Sequence, residues 1–234
     1  MTGFHLQQVC EISNNPVALA GNTSRQISSP PPTSLLTCSK WLRESPGKRH
    51  AFELCYSDFS LWRPDRLVID IGGGLTHLTP KFCATGTYRL VDPLHHRGPA
   101  ENQLLAELGA GTWLFEEDWA ACDLSEASIV VANDIFPNVD YRIERFLKAV
   151  SASGAQELRL VLTVFFQHRE MTVERMETGE KLTVIPLPVS HVKSVLLEFL
   201  GNDSQLDFLS SPGKPSSWKN GRHVFFMKFQ RQPK

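Results

Sequence analysis

The chain has 234 residues, of which 41% are apolar, and its 24 basic and 25 acidic side chains leave a formal charge of −1. This length accommodates one α/β domain with an N-terminal extension and a full hydrophobic core. A charge so close to neutral argues against a nucleic-acid partner that is bound through a broad basic face. The five cysteines are dispersed without metal-ligand spacing, which indicates reduced thiols and predicts no metal site.

The sequence predicts neither a signal peptide nor a membrane span. The N-terminus lacks a basic segment followed by an apolar core, and no apolar run is long enough to cross a bilayer. We therefore expect a cytoplasmic protein with no membrane partner. A homodimer is left open as the oligomeric state.

Residues 1–62 are predicted to form an N-terminal extension. They begin with a polar segment that is interrupted by Pro30–Pro32, although Leu6–Leu19 allows a short helix. Two apolar sets with helical spacing follow, over Leu35–Leu42 and Ala51–Phe59. These two segments are expected to be helices ahead of the first core strand.

Residues 63–234 are predicted to form the main domain, because strands and helices alternate along them. This alternation predicts a parallel sheet with right-handed crossovers. The predicted strands are Leu67–Ile71, Thr87–Val91, Thr112–Phe115, Ser128–Ala132 and Leu158–Phe166, and the helices between them include Ala100–Leu108 and Val139–Val150.

The pattern changes after the fifth predicted strand. Residues 167–187 read as an inserted hairpin whose turn is Thr178-Gly179-Glu180. His191–Leu200 is a predicted helix, and Leu206–Leu209 with His223–Phe229 would complete the edge of the sheet.

The strongest functional signal is Asp70 followed by the triple glycine Gly72, Gly73 and Gly74 at the end of the first core strand. The next predicted strand also ends in an acid, Asp92. A strand, a glycine turn, a helix and a second strand with a terminal carboxylate form the nucleotide-binding half of a doubly wound sheet. Glycines let the backbone approach a ligand closely, and the second acid suits a ribose diol.

Asp70-Ile71-Gly72-Gly73-Gly74 resembles the first motif of the class I S-adenosylmethionine-dependent methyltransferases. A dinucleotide site would need a further glycine at position 77, where this chain has His77. The resemblance covers residues 64–166 well. It implies a seven-stranded, doubly wound, Rossmann-like α/β sheet, mostly parallel with an antiparallel C-terminal strand and helices on both faces.

The resemblance also implies S-adenosyl-L-methionine as the cofactor. In that family the acid at Asp70 organises the turn and, often through water, the methionine ammonium of the cofactor. Asp92 would accept hydrogen bonds from both ribose hydroxyls, and a charged acceptor binds them more strongly than a neutral one.

Glu116-Glu117-Asp118-Trp119 follows the third core strand. In the resembled family an acid at this place binds the adenine amino group and its neighbour stacks on the ring, which points to Asp118 and Trp119. The alternative is an acidic surface turn that carries a buried tryptophan.

The segment from Asn133 to Phe136 ends the fourth core strand, where ligands of open α/β sheets bind. It resembles the Asn-Pro-Pro-aromatic motif of amine-directed methyltransferases, with Asp134 and its neighbour in place of the prolines. The resemblance implies that Asn133 contacts cofactor and acceptor, and that Asp134 and Phe136 belong to the catalytic site. The alternative is a helix N-cap at Asn138 or Asp140.

His168 follows the fifth core strand and is a candidate general base, because a histidine there can titrate near neutral pH. The alternative is a structural or solvated histidine. The helices of residues 35–60 and the 167–187 insertion are expected to form a lid, since specificity resides in such additions to a common core.

These observations predict a methyltransferase that acts on nitrogen, oxygen or carboxylate of a small-molecule metabolite. Three alternatives stay open: a cofactor-binding protein that catalyses another reaction or serves as a scaffold, a methyltransferase of nucleic acid or protein, and a nicotinamide oxidoreductase. The identity of the acceptor is not encoded in any of these motifs.

Overall fold

The computed structural model describes residues 3–15, 34–109, 111–167, 171–174, 181–184, 186–201 and 204–232. Its strands are β1 (Phe4–Glu11), β2 (Val68–Ile71), β3 (Tyr88–Val91), β4 (Leu114–Phe115), β5 (Ile129–Asn133), β6 (Glu157–Val164), β7 (Met171–Glu174), β8 (Lys181–Val184) and β9 (His223–Arg231).

The described helices are α1 (Thr37–Glu44), α2 (Pro46–Tyr56), α3 (Thr79–Cys83), α4 (Pro99–Leu108), α5 (Ile143–Ala152) and α6 (Val189–Leu200). Short 3₁₀ turns lie at Phe59–Leu61, Trp119–Ala121 and Ser204–Leu209. Within the described ranges, none of the helices combines the length and apolar character that a bilayer span requires.

Seven strands form one mixed sheet in the order β1-β9-β6-β5-β2-β3-β4, and β7 pairs with β8 in a separate antiparallel hairpin. The strands β2 to β6 are parallel neighbours, whereas β9 runs antiparallel to both β6 and β1. The predicted doubly wound, mostly parallel sheet with an antiparallel C-terminal strand is therefore confirmed.

The central strands are short apolar runs because helices cover both faces of the sheet. Every residue of β2 and β6 is buried, as expected for parallel strands packed on two sides. One hydrophobic cluster joins the sheet to α5 and α6, and the other joins it to α1, α2, α3 and α4. The result is a three-layer α/β domain with helices on both faces of the sheet.

The structure corrects two expectations about the edge of the sheet. Phe4–Glu11 forms a strand beside β9, so the short helix allowed for Leu6–Leu19 is wrong over its described part, and some of the predicted extension belongs to the main sheet. The sequence pattern of β1 does not predict a strand, because the adjacent exposed residues Gln7 and Gln8 break the alternation of apolar and polar residues. Phe4 and Leu6 are the residues of β1 that are buried. Leu206–Leu209 lies in a 3₁₀ turn, not a strand, and Leu206 and Leu209 are buried three residues apart.

Candidate active site

Parallel pairing brings the predicted motifs to one edge of the sheet. Ile71 of β2 lies opposite Val91 of β3 and Ala132 of β5, so the segments that follow these residues are neighbours. The glycine turn, Asp92 and the segment from Asn133 therefore meet in the crevice at the carboxyl ends of the strands, where open α/β sheets bind ligands.

The glycine turn has a backbone that requires glycine. Gly72 and Gly74 have φ values of +67° and +66°, a region that L-residues other than glycine adopt only with strain. A Cβ atom on Gly73 would lie 2.1 Å from Oδ2 of Asp70, so the carboxyl group of Asp70 lies directly against the turn. Each glycine thus meets a separate steric requirement.

Asp70 supports the turn from inside the core. Its carboxyl group is 1% exposed and accepts hydrogen bonds from the Tyr56 hydroxyl at 2.8 Å and the Tyr88 hydroxyl at 2.7 Å. Burial raises the pKa of Asp70 to about 7, although the two tyrosine hydrogen bonds act in the opposite direction. Asp70 is buried beneath the turn, so its predicted contact with a ligand ammonium, often through water, stays a prediction.

Asp92 joins the end of β3 to the glycine turn. Its Oδ2 accepts the Gly74 N–H at 3.0 Å, and its Oδ1 accepts the Leu94 N–H at 2.7 Å. Burial raises the pKa of Asp92, and these two backbone hydrogen bonds oppose the rise. Each carboxylate oxygen keeps a second lone pair, so the group can still accept hydrogen bonds from a diol.

Helix α1 covers the glycine turn. A Cβ atom on Gly74 would lie 2.4 Å from Sγ of Cys38, and the Ser39 hydroxyl accepts the His77 N–H at 2.9 Å. Burial raises the pKa of the Cys38 thiol to about 12, and the neighbouring Asp92 contributes to the rise. Residues of the predicted lid thus lie on the predicted cofactor site.

The first glycine is covered from the opposite side by Ile135. A Cβ atom on Gly72 would lie 2.3 Å from the end of that side chain. A nucleoside ligand seated on the turn would therefore displace the side chains of Ile135 and Cys38. Both contacts involve the tip of a single side chain and no backbone, so the turn and Asp92 fit such a ligand once these tips have moved.

Asp134 is the polar centre at the end of β5. It has a φ of +60°, which is a strained backbone for a residue other than glycine. Its carboxylate accepts the Thr163 hydroxyl on one oxygen and Nη1 of Arg222, at 3.1 Å, on the other. Strain of this kind is concentrated at functional sites, which favours the predicted role of this position.

Sequence reasoning missed Arg222, whose place is fixed only by the pairing of β9 with β6. The Arg222 guanidinium lies over the Trp218 ring at 4.1 Å, and its Nε is buried without a hydrogen-bond partner among the described residues. The residue precedes β9 in a loop, with no spacing relative to Asp134 that a sequence pattern could reveal.

The other two residues predicted from the β5 segment differ in placement. Asn133 is half-buried at the end of β5, in register with Val161, and lies at the ligand edge as predicted. Phe136 is fully buried and stacks on Phe146 with ring centroids 4.4 Å apart. A ring held in the core in this way does not face an acceptor, so the predicted catalytic role of Phe136 is corrected to core packing.

Trp119 is also a core residue. Its ring is 6% exposed and meets Phe136 edge-on, and its Nε1–H donates to Asp140 at 2.7 Å. Asp118 accepts the Ala120 N–H at 2.8 Å and pairs with Arg142 at 2.8 Å. The acidic surface turn with a buried tryptophan describes this segment, and we leave the adenine contact out of the proposed site.

His168 lies outside the described residues, so its predicted role as a general base stays a prediction. The helix-cap alternative for the β5 segment is wrong, because Arg142 is the N-cap of α5 and no side chain among the described residues caps the helix. Asp140 instead accepts the Arg142 N–H at 2.8 Å in the turn before the helix. The structure thus brings together Gly72–Gly74, Asp92 and Asn133–Asp134, and separates Trp119 and Phe136 from them.

The strand order and the single antiparallel strand decide the fold. The chain has a doubly wound, Rossmann-like α/β fold. No family model matches the sequence, and no curated protein matches it.

Solved structures with a similar fold include three methyltransferases with S-adenosylhomocysteine bound. The 1,6-didemethyltoxoflavin-N1-methyltransferase of Burkholderia thailandensis is 15% identical with a TM-score of 0.46, over 80% of this chain and 78% of that one. An O-methyltransferase of a Brevibacillus brevis trans-AT PKS multienzyme is 14% identical with a TM-score of 0.45, over 91% and 84%.

The third is a phosphoethanolamine N-methyltransferase 2 of Haemonchus contortus. It is 10% identical with a TM-score of 0.48, over 84% of this chain and 57% of that one. At such identities and TM-scores these likenesses carry no argument about activity, and the fold rests on the strand order of the chain itself.

Proposed function

We propose that this chain is an S-adenosylmethionine-dependent methyltransferase that acts on nitrogen, oxygen or carboxylate of a small molecule. One observation carries the proposal: the Asp92 carboxylate is bound to the Gly74 amide where β2 and β3 end side by side. This arrangement places a charged acceptor and a closely approachable backbone at the same point of the ligand edge.

Asp92 would bind the ribose hydroxyls, and the turn of Gly72–Gly74 would lie against the rest of the cofactor. When bound, S-adenosylmethionine supplies a methyl group that its sulfonium already activates, so the acceptor needs only an aligned lone pair. The protein holds the acceptor and the cofactor in the reactive orientation. This positioning removes a large part of the activation free energy of a reaction between two molecules.

Asp134 and Asn133 are the groups that would orient the acceptor at the end of β5. Thr163 and Arg222 hold the Asp134 carboxylate in place, since each of its oxygens accepts one of their hydrogens. A fixed carboxylate at this position can accept an N–H or O–H of the acceptor and receive its proton as the nucleophile reacts.

Helix α1 serves as the lid in this proposal. It covers the turn through Cys38, and Trp41 meets His96 edge-on with ring centroids 4.8 Å apart beyond Asp92. A lid over this edge would exclude water from the reacting groups after the ligands have entered.

The covered turn also favours a second candidate, a cofactor-binding protein that has no transfer activity. Cys38 and Ile135 fill the space next to two of the three glycines, which is compatible with a scaffold as well as with a closed enzyme. A nucleic-acid substrate is disfavoured by the formal charge of −1. The unpaired state of the five cysteines supports a reducing, cytoplasmic location.

Calorimetric titration with S-adenosylmethionine and S-adenosylhomocysteine tests the proposal. We expect micromolar binding to the wild type, loss of binding in Asp92→Ala, and unchanged binding in Asp65→Asn, a substitution at an exposed carboxylate. A urea unfolding curve for each variant verifies that it is folded. Absence of binding to the folded wild type would overturn the cofactor assignment.

Transfer of a labelled methyl group to a panel of small amines, alcohols and acids separates the two candidates. Label in a product that disappears with Asp134→Asn supports the enzyme. Tight cofactor binding without a labelled product across the panel supports the scaffold.

A further inference from the structure

A cavity opens at the same edge of the sheet, beside the ends of β6 and β9. It has a volume of about 650 Å³, within the range of pockets that hold small ligands. Phe165, Phe166 and Gln167 line one side, and the loop of residues 212–221 with His223 lines the other. The residues proposed to bind the cofactor and to orient the acceptor are not among them.

The polar lining of the cavity carries positive charge. Lys214 and Lys219 both contribute to it, and neither ammonium has a carboxylate partner in the part of the chain that the structure describes. The described lining contains no aspartate or glutamate. Both lysines are exposed, so solvent screens part of their field, but two cations without carboxylate partners beside a concave surface still attract an anion.

His223 is held in a defined orientation at the wall of this cavity. Its Nδ1 lies 2.8 Å from Oε1 of Glu11, and its ring meets the Phe166 ring edge-on at a centroid distance of 4.9 Å. Because Glu11 binds one ring nitrogen, Nε2 is the polar atom that His223 has left to offer a ligand. Phe165 and Phe166 supply an apolar, aromatic surface next to it.

The cavity lies on the side of the active-site crevice away from Asp92. Two strand spacings, about 10 Å, separate β5 from β9, and the Asp134–Arg222 ion pair spans this interval. A molecule held in the cavity by one end would therefore reach Asp134 with its other end if it were about one or two aromatic rings long.

We propose that this cavity binds the acidic end of the methyl acceptor, so that the acceptor is an aromatic acid. Lys214 and Lys219 neutralise its anionic group, and Phe166 packs against its ring. His223, oriented by Glu11, donates to or accepts from a polar substituent. The assignment of the bound acid as an acceptor rests on the proposed methyltransferase function, whereas the binding of the acid does not.

Fluorescence titration with 2-naphthoate, an aromatic carboxylate, tests the site without cofactor. Its neutral counterpart 2-naphthamide is the matched probe. We expect 2-naphthoate to bind the wild type about tenfold more tightly than 2-naphthamide, and this preference to be lost in Lys214→Gln/Lys219→Gln. Lys214 and Lys219 are both exposed, and two exposed charge contacts together account for roughly a tenfold change in Kd. Lys81→Gln, at an exposed lysine on α3, should keep the preference.

Backbone amide shifts in ¹H–¹⁵N spectra locate the probe, with Gly213, Gly221 and His223 expected to move. Equal affinity for the two probes, a preference that survives the double substitution, or shifts confined to other residues would each overturn the site. The titration needs no cofactor, so failure of S-adenosylmethionine binding and failure of the acid site are distinguished.

Discussion

The Tyr56 hydroxyl donates to the buried carboxyl group of Asp70 across 2.8 Å, and this hydrogen bond joins helix α2 to the strand that carries the glycine turn. Tyr56 has no exposed surface and packs on Phe82 with ring centroids 5.4 Å apart. The position of the glycine turn therefore depends on α2, which is separated from it in the chain by a 3₁₀ turn and by β2.

Tyr56→Phe should destabilise the fold by about 1–3 kcal/mol, because it leaves one oxygen of a buried carboxyl group without its donor. Urea unfolding measures the effect. Tyr141→Phe, at a tyrosine that is 44% exposed, is the matched control and should change stability by less than about 0.5 kcal/mol. Equal effects of the two substitutions would show that the Tyr56 hydrogen bond contributes nothing.

Asp70 should make stability fall as pH rises. Its pKa is raised from 3.8 to about 7 in the folded state, so between these values the folded protein binds more protons than the unfolded chain. The stability of the wild type relative to Asp70→Asn should therefore decrease from pH 4 to pH 7 and be constant above that range. Urea unfolding of both proteins at several pH values measures this difference. A difference that does not vary with pH would contradict the raised pKa.

Gly74→Ala should lower the free energy of unfolding more than Gly86→Ala does, although both glycines have positive φ values, of +66° and +70°. A Cβ atom on Gly86 meets nothing within 4 Å and pays only the backbone strain of about 1–2 kcal/mol. On Gly74 the new methyl group also meets Cys38 Sγ. Cys38→Ala in the Gly74→Ala background should recover part of this excess in unfolding experiments. No recovery would show that α1 does not lie on the turn.

Breaking the Asp134–Arg222 pair should be costly because both side chains are largely buried, with 21% and 10% of their surface exposed. Arg222→Met should lower the free energy of unfolding by about 3 kcal/mol, since it leaves the carboxylate uncompensated. Asp134→Asn/Arg222→Met should cost less than the sum of the single substitutions.

A surface ion pair provides the control for that measurement. Arg97 and Glu116 pair at 3.2 Å with side chains that are 43% and 46% exposed. Arg97→Gln should therefore change stability by less than about 1 kcal/mol. A similar loss of unfolding free energy in Arg222→Met and Arg97→Gln would mean that breaking the buried pair is no more destabilising than breaking the exposed one.

The parts of the site that the sequence predicts correctly are those that depend on local pattern. A buried strand followed by glycines must turn, and parallel strands must end together, which is why Gly74 and Asp92 meet. The bounds predicted for the five core strands agree with the observed bounds of β2 to β6 to within two residues. Strands that are buried on both faces form continuous apolar runs, which are easy to recognise in a sequence.

The parts that it predicts poorly depend on which way a side chain turns after a strand ends. Trp119 and Phe136 follow strands in the expected places but point into the core, where they meet each other edge-on. No periodicity in a short loop distinguishes an inward ring from an outward one. The pairing of Glu11 with His223 was equally inaccessible, because it joins the first and last strands of the sheet.

Among the described residues, strand β1 pairs with β9 alone. In a partly folded chain in which β9 has not yet paired, β1 would therefore lack a neighbour and β6 would keep an open edge. Exposed edges of this kind favour association between chains. The Gly3 carbonyl accepts the Gln232 N–H at 3.0 Å, so the two ends of the described chain are tied together only when the sheet is complete.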